Sequence, residues 1–191
     1  QGKGRDDFVP RVFGALTGLA FLAGAGLILG CRLIMRFLAA PDFFAAWRYV
    51  PVLIVATVFS CLVSFLNSVF VVQKKTGISL WTMMAGAVLN LVLNALLIRP
   101  MGPNGAALAT AISYMLVFVI RAATTRRFIH IRFAPGRLAL TTGLLLLQAG
   151  LMGWAPPLWG LWCGQVAAAL LALNGPALWA RVRRAVASRR R

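Results

Sequence analysis

Acidic residues are almost absent from this chain. Its 191 residues include three aspartates and no glutamate. The aspartates, Asp6, Asp7 and Asp42, all lie outside the long apolar runs. Paired carboxylates for acid–base catalysis and an intramembrane relay of carboxylates are therefore not available. No Ser/His/Asp set and no glycine-rich phosphate loop occurs either, so we expect no enzymatic activity.

Histidine and cysteine are equally scarce. The single His130 cannot form a zinc centre alone. Cys31, Cys61 and Cys163 have no CxxC spacing, and each lies in or beside an apolar run. We expect them to be small apolar filler residues, with no disulfide, metal or cofactor.

Apolar and basic residues are abundant. Hydrophobic residues make up 61% of the chain and charged residues 12%, and the net charge is +17. A soluble protein of this size cannot bury so much apolar surface, so the composition indicates a membrane protein in contact with lipid. On a soluble chain this charge would suggest nucleic acid, but the basic residues lie between apolar runs and no nucleic-acid-binding fold is evident.

The apolar runs predict an all-α, polytopic fold with six transmembrane helices. None shows the alternation of a barrel strand, and helices satisfy their own backbone hydrogen bonds in lipid. The predicted spans are residues 12–31, 49–73, 78–98, 103–120, 138–155 and 158–180. We predict a cytoplasmic N-terminal segment at residues 1–11, followed by four spans within residues 12–121. A basic cytoplasmic loop at 122–137 then leads to two further spans within 138–180 and to a basic cytoplasmic tail at 181–191.

The basic residues predict the orientation. With six spans, sixteen Lys and Arg fall on one face of the membrane and four on the other. The positive-inside rule therefore places both ends of the chain in the cytoplasm.

Polar side chains inside the spans form two groups. Ser60, Ser64 and Asn67 share one helical face, and Asn90 and Asn94 are four residues apart in the next span. One interpretation is helix–helix packing, in which these groups form hydrogen bonds between helices. The other is the lining of a hydrated cavity.

Arg32 and Arg36 lie on one helical face near the outer end of the first span. They either extend to the membrane interface or contact an anionic head group, which arginine can bind through two hydrogen bonds.

Several motifs resemble one transporter superfamily. They are YVPVL from Tyr49, VFS from Val58, SFLNS from Ser64, QKKT from Gln73, GAVLNLVLN from Gly86, PMGPNGAALAT from Pro100 and Ser113-Tyr114. This set resembles the C-terminal half of bacterial polysaccharide-biosynthesis flippases, in the multidrug/oligosaccharidyl-lipid/polysaccharide exporter superfamily. The resemblance runs from about Arg11 to Arg121 and is strongest from Tyr49 to Tyr114.

The resemblance implies a two-lobe exporter of which this chain is the C-terminal part. The chain begins with Gln1 and no cleavable signal pattern follows, so we interpret it as a piece of a longer protein that lacks its N-terminal lobe. Such flippases move an undecaprenyl-diphosphate-linked oligosaccharide across the bacterial plasma (inner) membrane. Implied partners are this substrate, membrane lipid, the missing lobe and, as further candidates, a glycan polymerase or glycosyltransferases.

Two other functions stay open. One is a cation-coupled multidrug exporter of the same superfamily, which would commonly use intramembrane acids that these spans lack. The other is a membrane scaffold for a glycan-synthesis complex, although six spans with polar faces exceed what anchoring needs.

Overall fold

The chain is helical throughout its described length. The computed structural model describes residues 3–38, 40–126, 135–154 and 159–189, and no strand occurs among them. The predicted all-α fold is confirmed for these residues. A short 3-10 helix spans Pro41–Arg48. The six α-helices are α1 Lys3–Leu38, α2 Val50–Val72, α3 Thr76–Met101, α4 Pro103–Thr125, α5 Pro135–Trp154 and α6 Trp159–Arg189.

Four of these helices are long and apolar enough to cross a membrane: α1 from Val9, α2, α3 and α4. This property indicates a membrane-embedded protein. The helices α5 and α6 overlap the other two predicted spans and are not among these four over the residues that the structure describes. Six spans therefore remain a prediction.

The chain divides into two compact units. Unit 1 comprises Gln1–Leu29 and Ile131–Arg191, which places the first part of α1 with α5 and α6. Unit 2 comprises Gly30–His130 and contains α2, α3 and α4. The boundary between the two units falls within α1, between Leu29 and Gly30.

Very short connections hold α2, α3 and α4 together as a bundle. Three residues join α2 to α3, and Lys74 among them has a φ of 56°. Gly102 alone joins α3 to α4 with a φ of 58°, a conformation that glycine adopts without a steric penalty. A Cβ atom on Gly105 would collide with the carbonyl of Leu97, so the two helices approach closely beside this turn.

Helix α4 is the central helix of the α2–α4 bundle. It packs against both α2 and α3, while α2 and α3 contact each other much less. The α2–α4 interface is apolar and includes an edge-to-face contact between Phe59 and Phe118, with ring centroids 5.6 Å apart. Helix α3 leaves large apolar side chains such as Trp81 and Leu91 exposed, which suits contact with lipid.

Candidate functional site

The most unusual residue of the α2–α4 bundle is Arg121, a charged side chain that is 0% exposed. Its Nε donates to Thr82 Oγ1 of α3 at 2.9 Å. Its Nη1 donates to the Val63 carbonyl of α2 at 3.0 Å. Its Nη2 donates to the Ser79 carbonyl at 3.1 Å and to Ser79 Oγ at 3.3 Å. Arg121 thereby connects the central helix to both of its neighbours.

The acceptors of Arg121 are linked to one another. Ser79 Oγ donates to Asn67 Oδ1 of α2, and Thr82 Oγ1 donates to the Ser79 carbonyl at 2.9 Å. We call Asn67, Ser79, Thr82 and Arg121 the arginine cluster. All oxygens that accept from Arg121 are neutral, and the three aspartates of the chain lie outside α2, α3 and α4.

The sequence analysis placed Arg121 just beyond a span that ended at residue 120, in the count of loop residues. In the structure α4 continues to Thr125, so Arg121 lies within this helix. The register contained a signal: Val117, Arg121 and Thr125 follow each other at steps of four, and all three are buried. If Arg121 is left out of the loop residues, fifteen Lys and Arg lie on the predicted cytoplasmic face and four on the other face.

A cavity of about 260 Å³ lies among the same three helices. Most of its wall is apolar, and the groups that can form hydrogen bonds come from four residues of α3 and α4. Its lining consists of Val63, Met83, Gly86, Ala87, Asn90, Thr110, Ser113, Tyr114 and Val117. The cavity is open on one side, where Met83, Ala87 and Tyr114 are exposed.

The polar groups of the cavity are partly engaged by their own helices. Thr110 Oγ1 donates to the Ala106 carbonyl at 2.9 Å, and Ser113 Oγ donates to the Ala109 carbonyl at 2.8 Å. Asn90 Oδ1 accepts from Asn94 Nδ2 at 2.9 Å. These bonds use the hydroxyl hydrogens and one acceptor position, and they leave hydroxyl lone pairs and the Asn90 NH₂ group for a ligand or water.

The cavity lies one helical turn from the arginine cluster. Val63 lines the cavity, and its carbonyl accepts from Arg121. Val117 precedes Arg121 by one turn of α4, and Gly86 follows Thr82 by one turn of α3. The arginine cluster therefore fixes the three helices at one end of the cavity.

Of the five polar residues predicted from the spans, two lie at the cavity, one lies in the arginine cluster, and Ser60 and Ser64 lie elsewhere on α2. Asn90 lines the cavity, and Asn94 holds it through their amide–amide bond. Asn67 belongs to the arginine cluster. Ser60 is half-buried, and the exposed Ser64 accepts through its carbonyl from Ser68 at 3.2 Å. In this structure Asn67 contacts a neighbouring helix and Asn90 lines the cavity, and the choice between packing and a hydrated cavity stays a prediction.

Arg32 and Arg36 differ in their surroundings. The Arg32 guanidinium lies over the ring of Trp47, 4.3 Å from the ring centroid, and Arg48 approaches the same ring at 5.9 Å. Arg36 is exposed. Because Arg32 is held by Trp47 through a cation–π contact, Arg36 is the more accessible of the two to an anionic head group.

Unit 1 has its own buried polar residues. Gln148 of α5 is fully buried, and its Nε2 donates to the Ala25 carbonyl of α1 at 3.0 Å and to the Cys163 carbonyl of α6 at 3.5 Å. Its Oε1 is buried without a hydrogen-bond partner. Arg137 donates to the Leu173 carbonyl and to Asn174 Oδ1, next to Pro176 inside α6.

Several side chains and segments discussed in the sequence analysis lie outside the part of the chain that the structure describes. They include the side chains of the three aspartates, His130, the middle of the basic loop and the basic tail. Within the described residues, no group of three His, Cys, Asp or Glu side chains could hold a metal ion. The backbone of α6 continues through the predicted tail as far as Arg189.

No protein-family model matches this chain, and no curated protein or solved structure matches it significantly.

Proposed function

We propose that this chain is the C-terminal part of a flippase that moves undecaprenyl-diphosphate-linked oligosaccharide across the bacterial inner membrane for cell-surface polysaccharide assembly. Two lines of support meet in the α2–α4 bundle. The motifs that resemble such flippases cover Tyr49 to Tyr114, and the cavity with its polar lining lies within these same helices.

The cavity is the observation that carries the proposal. Lipid cannot satisfy the amide of Asn90 or the hydroxyl of Tyr114, so polar groups that line an open cavity between apolar helices suit a path for a polar substrate. Arg121 adds a positive charge one turn from the cavity, and α2, α3 and α4 contain no acidic residue, which favours an anionic substrate near the bundle without direct contact to the guanidinium. A second lobe would face this cavity, because alternating access needs two bodies around one site.

The proposed topology has six spans with both ends in the cytoplasm. Its basis is the excess of loop charge on one side, which persists after Arg121 is assigned to α4. A reporter fused after Arg191 should be cytoplasmic. Single cysteines at Pro41 and Pro156, in a chain without its three native cysteines, should react with an impermeant maleimide from outside. A cysteine at Thr76 that reacts from outside would contradict this topology.

Deletion of the gene tests the function itself. The lipid-linked glycan should still be made but should accumulate in the cytoplasmic leaflet, with less polysaccharide at the surface and little change in drug sensitivity. A normal surface polysaccharide with a large loss of drug efflux would instead support the multidrug exporter. A fall in total glycan synthesis, with no accumulation in either leaflet, would support a scaffold.

A further inference from the structure

We propose that the cavity of the α2–α4 bundle binds one neutral sugar ring of the glycan, and that the diphosphate binds elsewhere. This inference rests on the proposed function for its choice of a glycan as ligand. The chemistry of the site comes from the cavity lining alone.

The size of the cavity limits the ligand. Its volume of about 260 Å³ lies just below the roughly 300–1,000 Å³ that is typical for drug-sized ligands. A single hexose ring fits this space, whereas an oligosaccharide would have to extend through the open side past Met83 and Tyr114.

The hydrogen-bonding groups of the lining favour a neutral polyol. The hydroxyl hydrogens of Thr110 and Ser113 are used by backbone carbonyls, so these two residues offer a ligand only acceptor lone pairs. The Asn90 NH₂ group offers donors, and Tyr114 can donate or accept. Sugar hydroxyl groups both donate and accept, and so match this mixed set.

Two other ligands match the lining less well. A diphosphate only accepts, so it would face the hydroxyl oxygens of Thr110 and Ser113 without a donor from either, and no charged side chain lines the cavity. The Arg121 guanidinium does not compensate, because it is fully buried and bonded to Thr82, Val63 and Ser79. An isoprenyl chain would leave the Asn90 amide desolvated without a partner.

Protection from cysteine labelling tests this assignment. The reporter is Ala87→Cys at the rim of the cavity, in the intact protein in native membrane vesicles with Cys31, Cys61 and Cys163 replaced by alanine. The matched control is Ala85→Cys, also exposed on α3 but outside this cavity. The probes are glucose, galactose and N-acetylglucosamine, each compared with sodium pyrophosphate and with farnesol.

We expect at least one sugar to slow labelling of Ala87→Cys about threefold at twice its Kd, because only the free protein reacts. Labelling of Ala85→Cys should not change. Adding Asn90→Leu should abolish the protection at Ala87→Cys, and Tyr114→Phe should weaken it. Protection by pyrophosphate or farnesol alone, or by none of the probes at saturation, would overturn the assignment.

The two proposals can fail separately. If gene deletion leaves the glycan normally distributed between the leaflets but a sugar still protects Ala87→Cys, the flippase proposal fails and the sugar site stands. If deletion confines the glycan to the cytoplasmic leaflet but no sugar protects the reporter, only the sugar site fails.

Discussion

Each unit of the molecule has one fully buried polar side chain that bridges three helices, but the two side chains are bonded differently. Arg121 in the α2–α4 bundle forms four hydrogen bonds with oxygens of α2 and α3. Gln148 in unit 1 donates to carbonyls of α1 and α6, and its Oε1 has no partner. Arg121 thus uses nearly all of its hydrogen-bond donors, whereas Gln148 leaves its acceptor oxygen without a partner.

The cost of burial explains this difference. An ionised group in a low-dielectric interior is costly unless its donors are paired, and the planar fork of arginine can reach several oxygens at once. A neutral amide oxygen without a partner costs only about 1–3 kcal/mol. The arrangement of α2, α3 and α4 is therefore tied to Arg121, whereas unit 1 depends mainly on apolar residues such as Phe21, Leu145 and Leu170.

The largest expected effect comes from Arg121→Ala. The substitution removes four hydrogen bonds and leaves a void among three helices, so we expect the free energy of unfolding to fall by about 3 kcal/mol, the upper end of the usual range for point substitutions. Arg121→Lys keeps the charge without the fork and should lose about half as much. Unfolding in mixed SDS–detergent micelles, followed by tryptophan fluorescence, measures both.

Arg99→Ala is the matched control, because Arg99 lies in the last turn of α3 and is exposed. We expect its effect to stay within about 0.5 kcal/mol, as is usual at a surface position. If Arg121→Ala were as mild as Arg99→Ala, the arginine cluster would not hold the bundle together.

An intermediate effect is expected at Gly86, where α3 approaches α4. A Cβ atom there would collide with Cγ2 of Val117, so Gly86→Ala should cost roughly 1–3 kcal/mol through overpacking. Val117→Ala removes the colliding methyl group, and the double variant should be more stable than the sum of the two single costs predicts. Additive costs would show that the two helices are not in close contact.

Gly77→Ala is the control for Gly86→Ala. No atom lies within 4 Å of a Cβ built on Gly77, which is exposed in the first turn of α3. Alanine loses less backbone freedom on folding than glycine, so we expect a gain of about 0.5 kcal/mol. A loss at Gly77 as large as at Gly86 would point to general damage to α3.

The sequence predicted the helices of the α2–α4 bundle closely. Apolar runs fixed α2, α3 and α4 to within a few residues, because a helix in lipid needs an uninterrupted apolar length. The spacing of four residues predicted that Asn90 and Asn94 share a face of α3, but it did not predict their amide–amide bond. Arg121 was counted with the loop because a basic residue directly after an apolar run resembles a loop residue. Its helical register, one turn after the buried Val117, indicates instead that it faces the interior of the bundle.

Long-range contacts could not be read from the sequence. The bond between Gln148 and the Ala25 carbonyl joins α5 to α1, and the contact of Arg137 with Asn174 joins the first turn of α5 to the middle of α6. Neither pair has a local signal, because periodicity reports which face of a helix is apolar and not which helix covers it.

The smallest effect on stability is expected at Gln148, the buried polar residue of unit 1. Gln148→Met keeps the length of the side chain and removes the buried Oε1 that has no partner, together with the donor to Ala25 and Cys163. Both carbonyls lie within helices, where a backbone N–H one turn further on also reaches them. The losses and gains should nearly cancel, so we expect a change below about 1 kcal/mol, the scale of hydrogen bonds between membrane helices. Gln165→Met on the exposed side of α6 is the control and should be neutral in the same unfolding assay. A loss at Gln148 as large as that of Arg121→Ala would mean that the amide, like the guanidinium, holds its three helices together.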